Sequence, residues 1–190
     1  MSNLTDFFPS GGGGGLTPKF EEFNASGTFT PSQALIDAGG YIEVFLVGGG
    51  GMSSSNAAGC GGGEVLIKKM YITSVSSCSV TIGSGATAAG AGGNSSFLGS
   101  TAGGSNITSL GGAASVSQNG IASNSWGGGD LYAYMNYSAG NGVFGYGAGS
   151  GSINYGGGVR IGKPNSGQGG AGGVSGGGGG SGYCLIKWYE

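Results

Sequence analysis

Residues 41–51 are YIEVFLVGGGG, an apolar run of strand-forming residues that ends in four glycines. Tyr, Ile, Val and Phe are enriched in strands, and each glycine costs about 1 kcal/mol relative to alanine inside a helix. Residues 61–72, GGGEVLIKKMYI, repeat this junction in the opposite order. Strand-forming segments that join directly onto glycine runs predict that the glycines belong to ordered structure rather than to a flexible linker.

Glycine supplies 51 of the 190 residues. Near the end of the chain, Gly167, Gly170, Gly173, Gly176 and Gly179 are three residues apart, which is the repeat of a polyproline II helix. Such helices make no internal hydrogen bonds, so their backbone groups can pair with neighbouring helices when no side chains intervene. We predict packed glycine helices, although residues 145–151 follow a spacing of two and flexible loops stay an alternative.

Short strand-like segments continue along the chain and are separated by glycine and serine. A helical pattern is confined to residues 32–37. Many short strands with regular turn signals are typical of an all-β sandwich or barrel. We predict an all-β fold, a small β-sandwich whose glycine-rich loops pack as polyproline II helices. The predicted strands are residues 26–30, 41–47, 64–72, 79–82, 95–98, 106–110 and 183–189.

Charge and composition argue against several classes of protein. Only 7% of the residues are charged and the net charge is -2, so we expect no nucleic-acid binding, which needs clustered Lys and Arg. No stretch of 18 apolar residues occurs, so no membrane insertion is expected. The first residues lack the pattern of a signal peptide, which predicts synthesis in the cytoplasm without export by that route.

Catalytic and metal-binding patterns are weak. The sequence contains no histidine, which excludes histidine-based triads and histidine general bases. Cys60, Cys78 and Cys184 are scattered and have no CxxC spacing, so they indicate neither a zinc site nor a disulfide framework. Cys78 and Cys184 lie in strand-like segments and are interpreted as small buried hydrophobic residues. We predict no enzyme activity, no cofactor and no metal.

The first 24 residues differ from the rest and are interpreted as an attachment segment or linker. Phe7 and Phe8 precede the glycine run at residues 11–15. They are candidates for docking onto a partner, and packing onto the same chain is the alternative. Residues 25–190 are predicted to form one glycine-rich domain.

Residues 125–155 are the candidate binding site. Tyr combined with Ser, Gly and Asn is the composition of antibody loops, because Tyr offers a large rigid contact area with a polar tip. The one charged residue of this stretch, Asp130, can accept hydrogen bonds from sugar hydroxyls or from a basic partner. The alternative is that these aromatic side chains cover the glycine helices or form contacts between subunits. The candidate residues are Trp126, Asp130, Tyr132, Tyr134, Tyr137, Phe144, Tyr146 and Tyr155.

The ordered set of these segments resembles the glycine-rich domain of bacteriophage tail fibres and their tip adhesins. The resemblance covers about residues 25–190, and the opening MSNLTDFFP also looks like the start of phage tail-fibre proteins. Each segment alone is weak evidence for this family. The order in which all of the segments occur makes the resemblance specific. The matching segments are SGTFTPS, YIEVFLVGGGG, GGGEVLIKKMYI, SVTIGSGA, GGNSSFLG, LGGAA and GGGGGSGYCLIKWYE.

The resemblance implies a β-sandwich with packed polyproline II helices in a virion tail. It implies other tail or fibre proteins as partners and a host cell-surface protein or glycan as the receptor bound by loops. For the oligomeric state it implies a homotrimer, with a monomer carried on a trimeric shaft as the alternative. The chain departs from the adhesin pattern because it is short and lacks a long shaft or a large attachment domain. A purely structural tail, baseplate or fibre component is therefore the alternative to an adhesin.

Overall fold

A computed structural model describes residues 15–52, 61–98, 106–113, 164–167, 169 and 178–190. Within these ranges the chain forms eight strands and one short helix, which confirms the predicted all-β fold class. The elements are β1 (Pro18–Phe23), β2 (Gly27–Phe29), α1 (Gln33–Asp37), β3 (Tyr41–Val47), β4 (Val65–Tyr71), β5 (Cys78–Thr81), β6 (Ser95–Leu98), β7 (Ile107–Ser109) and β8 (Tyr183–Tyr189).

The strands form two four-stranded sheets. The first sheet has the order β1-β8-β3-β4 and the second has the order β2-β5-β6-β7. Every neighbouring pair is antiparallel. Strand β8, the last in the sequence, therefore lies in the middle of the first sheet between β1 and β3.

The two sheets enclose the larger of two hydrophobic clusters in the described residues. Alternate residues of β3, namely Ile42, Val44 and Leu46, are completely buried, as expected for a strand with one face toward the core. From the second sheet, Phe29 and Phe97 are also buried and belong to the same cluster. Fully burying side chains of this size contributes about 1.5–3 kcal/mol each. The core therefore fixes which face of each sheet points inward.

Helix α1 is short but has clear start and stop signals. The Ser32 hydroxyl accepts a hydrogen bond from the Leu35 N–H at 3.0 Å, the usual role of a serine at a helix start. Leu35 is completely buried and anchors the turn to the core. The helix ends before Gly39 and Gly40, whose φ angles are 101° and 70°. Glycine adopts these angles without steric cost.

The seven predicted strands correspond to β2–β8, with differences of one residue at some ends. The helical pattern at residues 32–37 corresponds to α1. Strand β1 was not predicted: it lies within residues 1–24, which we interpreted as an attachment segment or linker. Its backbone pairs with β8 from Pro18↔Tyr189 to Phe23↔Cys184.

Candidate functional site

Backbone hydrogen bonds join several glycine-rich segments that extend from the ends of the strands. We call residues 48–52, 61–63, 83–86, 90–93, 111–113 and 178–180 the glycine layer. The backbone groups of residues 48–52 form hydrogen bonds with several of the other segments. Peptide groups that have no partner in a strand therefore find a hydrogen-bond partner in the glycine layer. Three of these bonds are Gly49 N–H to Gly93 O at 2.9 Å, Gly50 N–H to Gly180 O at 2.8 Å and Gly51 N–H to Gly61 O at 2.9 Å.

The close approach of these backbones explains why the residues are glycine. A Cβ atom on Gly49 would lie closer than 3.0 Å to the backbone oxygen of Ser84. A Cβ on Gly92 would meet the backbone of Gly49 in the same way, and one on Gly179 would meet Gly50. Any side chain at these positions would force whole segments apart. The glycine runs are thus packing positions, while the polyproline II conformation of the loops remains a prediction.

Two buried serines connect the sheets to the glycine layer. Ser95, on β6 of the second sheet, donates its hydroxyl to Val47 O at 2.6 Å and accepts a hydrogen bond from Gly83 N–H at 2.9 Å. Ser109, on β7, donates its hydroxyl to Glu64 O just before β4. Both hydroxyls bridge from the second sheet to the strand ends of the first. Because both serines are completely buried, losing either bond would leave polar groups without partners.

The predicted site residues lie outside the described residues. This holds for all eight candidates in residues 125–155 and for Phe7 and Phe8. The structure does describe Ala113, the last described residue before the candidate segment 125–155. Ala113 O accepts a hydrogen bond from Gly61 N–H at 3.1 Å, and Gly61 O accepts one from Gly51. Ala113 lies four positions after the end of β7, and Gly51 lies four positions after the end of β3. Gly61 lies four positions before the start of β4.

Two of the described titratable groups, the thiols of Cys78 and Cys184, are buried. Burial, together with the carboxylate of Glu21, raises the pKa of the Cys184 thiol to about 12. Burial also raises the pKa of Cys78. A thiol must ionise to act as a nucleophile, so both are inert packing residues, as the sequence indicated. Within the described ranges, no group of three or more Cys, Asp or Glu side chains is placed to hold a metal ion.

A cleft of about 530 Å³, which was not predicted from the sequence, opens on the outer face of the first sheet. Its lining includes Phe20, Tyr41, Lys187 and Tyr189. Tyr41, Lys187 and Tyr189 alternate with buried or half-buried residues along β3 and β8, and that alternation was the available signal. The lining combines aromatic rings with both signs of charge, which makes the face suited to contact with another molecule.

Comparison with known protein families and with curated proteins gives no match to this chain. In the described part of the chain, no helix has the length and apolar character needed to cross a lipid bilayer.

Proposed function

We propose that this chain is a non-enzymatic protein of a bacteriophage tail, part of a fibre or baseplate, that binds a receptor on the host cell surface through residues 125–155. The observation that carries the proposal is the glycine layer, where backbone bonds hold Gly51, Gly61 and Ala113 side by side. In the sequence, Ala113 lies 12 residues before Ser125, the first residue of the candidate segment. Binding residues are commonly carried by loops that a rigid scaffold positions.

The composition of the candidate site supports the same proposal. Tyr and Trp are the residues that most often dominate binding energy at protein interfaces, and the Tyr, Ser, Gly and Asn of residues 125–155 suit adaptable polar recognition. The resemblance to phage tail-fibre domains supplies the biological setting, a virion tail and a host-surface protein or glycan. The proposal needs no catalytic group, cofactor or metal.

Substitution of three aromatic residues tests the proposal. Purified, labelled protein is titrated onto cells of candidate hosts, and the triple variant Trp126→Ala, Tyr134→Ala, Tyr146→Ala is compared with the wild type. A single hot-spot residue contributes about 2 kcal/mol, so we expect at least about a 30-fold loss of affinity. The control variant truncates three exposed hydrophobic residues elsewhere: Leu16→Ala, Val75→Ala and Leu98→Ala.

Saturable wild-type binding that the triple variant loses, while its melting temperature and mass stay unchanged, supports the receptor-binding site. If the triple variant fails to fold, the single substitution Tyr134→Phe, which removes only the hydroxyl, is measured instead. A folded triple variant that binds as well as the wild type overturns the assignment of residues 125–155.

A structural tail component is the second candidate function. The specific observation in its favour is the exposed outer face of the first sheet, where Phe20, Tyr71 and Tyr189 are 69%, 56% and 55% exposed. Exposed apolar patches of this kind mark protein contacts. A folded protein that binds no cell of any susceptible host but co-assembles with other tail proteins would favour this function over the adhesin.

A further inference from the structure

The outer face of the first sheet is closed at one end and open at the other. At the closed end, Val47, Val65 and Tyr183 form a buried cluster, and Phe45 and Leu185 pack against it. At the open end, side chains from all four strands line the cleft of about 530 Å³. Leu185 belongs to both groups, so the buried cluster forms an end wall of the cleft.

Aromatic rings form one part of the cleft lining. The register of β3 and β8, extended by one residue, places Tyr41 beside Tyr189, and Phe20 adds a third ring from β1. Tyr41 packs against Tyr71 in a T-shaped contact, with ring centroids 5.5 Å apart and an interplanar angle of 67°. This contact restrains the Tyr41 ring, while Tyr189 and Phe20 stay exposed. The open end of the cleft therefore presents aromatic surface to a ligand.

Charged side chains form the other part of the lining. Glu43 lies between Lys187 on β8 and Lys69 on β4 in the strand register, and Glu43 is half-buried. Within the described ranges, the salt bridge that forms is Lys19 with Glu190, and the side chains of the other three residues make neither an ion pair nor a hydrogen bond. A carboxylate that has lost part of its water gains from new hydrogen-bond donors. The acceptor and the two donors are therefore available to a ligand.

We propose that this cleft binds a neutral saccharide, a unit of about two sugar rings. The C–H faces of a sugar pack on aromatic rings, because the face of an aromatic ring carries negative partial charge. Sugar hydroxyls both donate and accept hydrogen bonds, which matches a carboxylate flanked by ammonium groups. Two residues along a strand span about 6.6 Å, so a sugar that stacks on Tyr41 and Tyr189 brings its hydroxyls to Glu43.

The charge balance of the cleft favours a neutral ligand over an ionic one. The lining residues without a salt bridge are two acids and two lysines, namely Glu22, Glu43, Lys69 and Lys187. An anionic sugar or a phosphate gains from a surplus of positive charge, which this set lacks. A purely apolar ligand would leave the Glu43 carboxylate without a donor. The volume lies within the range of about 300–1,000 Å³ that is usual for small-molecule sites.

Two-dimensional amide NMR of the full chain tests the proposal. The probes are the neutral disaccharides maltose, cellobiose, lactose and N,N′-diacetylchitobiose, each titrated to about 20 mM. We expect at least one of them to shift the amide signals of Tyr41, Glu43 and Lys187 saturably. The expected dissociation constant is about 0.1–10 mM, because the cleft is open at one end. This measurement needs no host cell, so its failure is distinguishable from a failure of receptor binding by residues 125–155.

Substitutions in the cleft locate the bound probe. Tyr189→Ala removes an exposed stacking ring and is expected to raise the dissociation constant at least about tenfold, whereas Tyr189→Phe keeps the ring and is expected to stay within about threefold. Lys69→Ala removes hydrogen-bond donors and is expected to raise it about fivefold. Lys68→Ala is the matched control, because Lys68 is an exposed lysine on β4 that does not line the cleft.

The absence of saturable shifts with all four disaccharides overturns the proposal, including the case in which residues 1–14 fill the cleft. A uronic-acid disaccharide, titrated in the same way, overturns the neutral class if it binds more tightly than every neutral probe. Binding that Tyr189→Ala leaves unchanged, or that Lys68→Ala weakens as much as Lys69→Ala does, overturns the assignment to the cleft. Equal melting temperatures of all variants establish that the changes act on binding.

Discussion

Gly49 lies where two backbone segments approach too closely for any side chain. Its Cβ position falls on the backbone of Ser84, and its own oxygen accepts a hydrogen bond from Gly112 N–H at 2.8 Å. Neither neighbour is the flexible end of a side chain, so neither can move away cheaply. A methyl group there must displace a bonded segment.

We therefore expect Gly49→Ala to lower the free energy of unfolding by at least about 2 kcal/mol. Gly90→Ala is the matched control, because a Cβ on Gly90 meets nothing nearer than Ala88 O at 3.6 Å. The Gly90 N–H keeps its bond to Met52 O at 3.0 Å in that variant. We expect the control to stay within about 0.5 kcal/mol of the wild type. Denaturant titration measures both, and equal stabilities would contradict the packing role of Gly49.

At the scale of single elements, strand β1 is held at the sheet edge by Glu190. The backbone N–H and C=O of Glu190 pair with Thr17, and its carboxylate forms a salt bridge with Lys19 at 3.6 Å. The same carboxylate accepts hydrogen bonds from the Ser32 hydroxyl and from the Trp188 indole N–H. One carboxylate therefore connects β1, β8 and the start of α1.

This connection makes stability depend on pH. Hydrogen bonds from Ser32, and then from Trp188, hold the pKa of Glu190 below its ordinary value of 4.5. A depressed carboxyl pKa contributes stability above the unfolded-state pKa, and that contribution is lost as the pH falls through the folded-state pKa. We expect Glu190→Gln to melt at a lower temperature than the wild type at neutral pH, with a smaller difference at an acidic pH well below 4.5.

Thermal melting at both pH values measures this effect, and the exposed Glu22 on β1 provides the control variant Glu22→Gln. A Glu190→Gln variant whose melting temperature differs from the wild type by the same amount at both pH values would contradict the proposed role of the charge.

The elements also show which parts of the fold are predictable. Strands β3 and β8 were predicted with their observed bounds, because each is a run of aromatic and aliphatic residues next to glycine. Strand β1, PKFEEF, starts with proline and carries three charges, which is a pattern of loops as well as of edge strands. Its strand conformation depends on pairing with β8, 160 residues later, and no local pattern shows that contact.

The candidate site was less accessible to sequence reasoning than the fold. Aromatic composition selected residues 125–155, but composition does not distinguish a binding loop from a cover over glycine backbones. Equally, the outer face was hidden because Tyr41, Glu43 and Phe45 form a surface only when β1, β4 and β8 align beside them. Register, and not the pattern within one strand, brings the charged and aromatic side chains of this face beside one another.

At the scale of the whole molecule, two kinds of packing stabilise the described residues. The sandwich has a conventional hydrophobic core, while the glycine layer has almost no side chains and is held by backbone hydrogen bonds between segments. The buried Ser95 and Ser109 connect the two parts. Because backbone bonds replace apolar burial in the layer, its order depends on each segment remaining in place.

The central claim is that the glycine runs are ordered structure, and amide hydrogen exchange measured by NMR tests it most directly. The informative amides are those of Gly50, Gly92 and Gly112, which bond to Gly180, Gly112 and Gly49 respectively. We predict that they exchange as slowly as the amides in the centre of β3, with opening free energies close to that of global unfolding. Exchange of these three amides at the rates of an unfolded peptide, while β3 stays protected, would contradict the account.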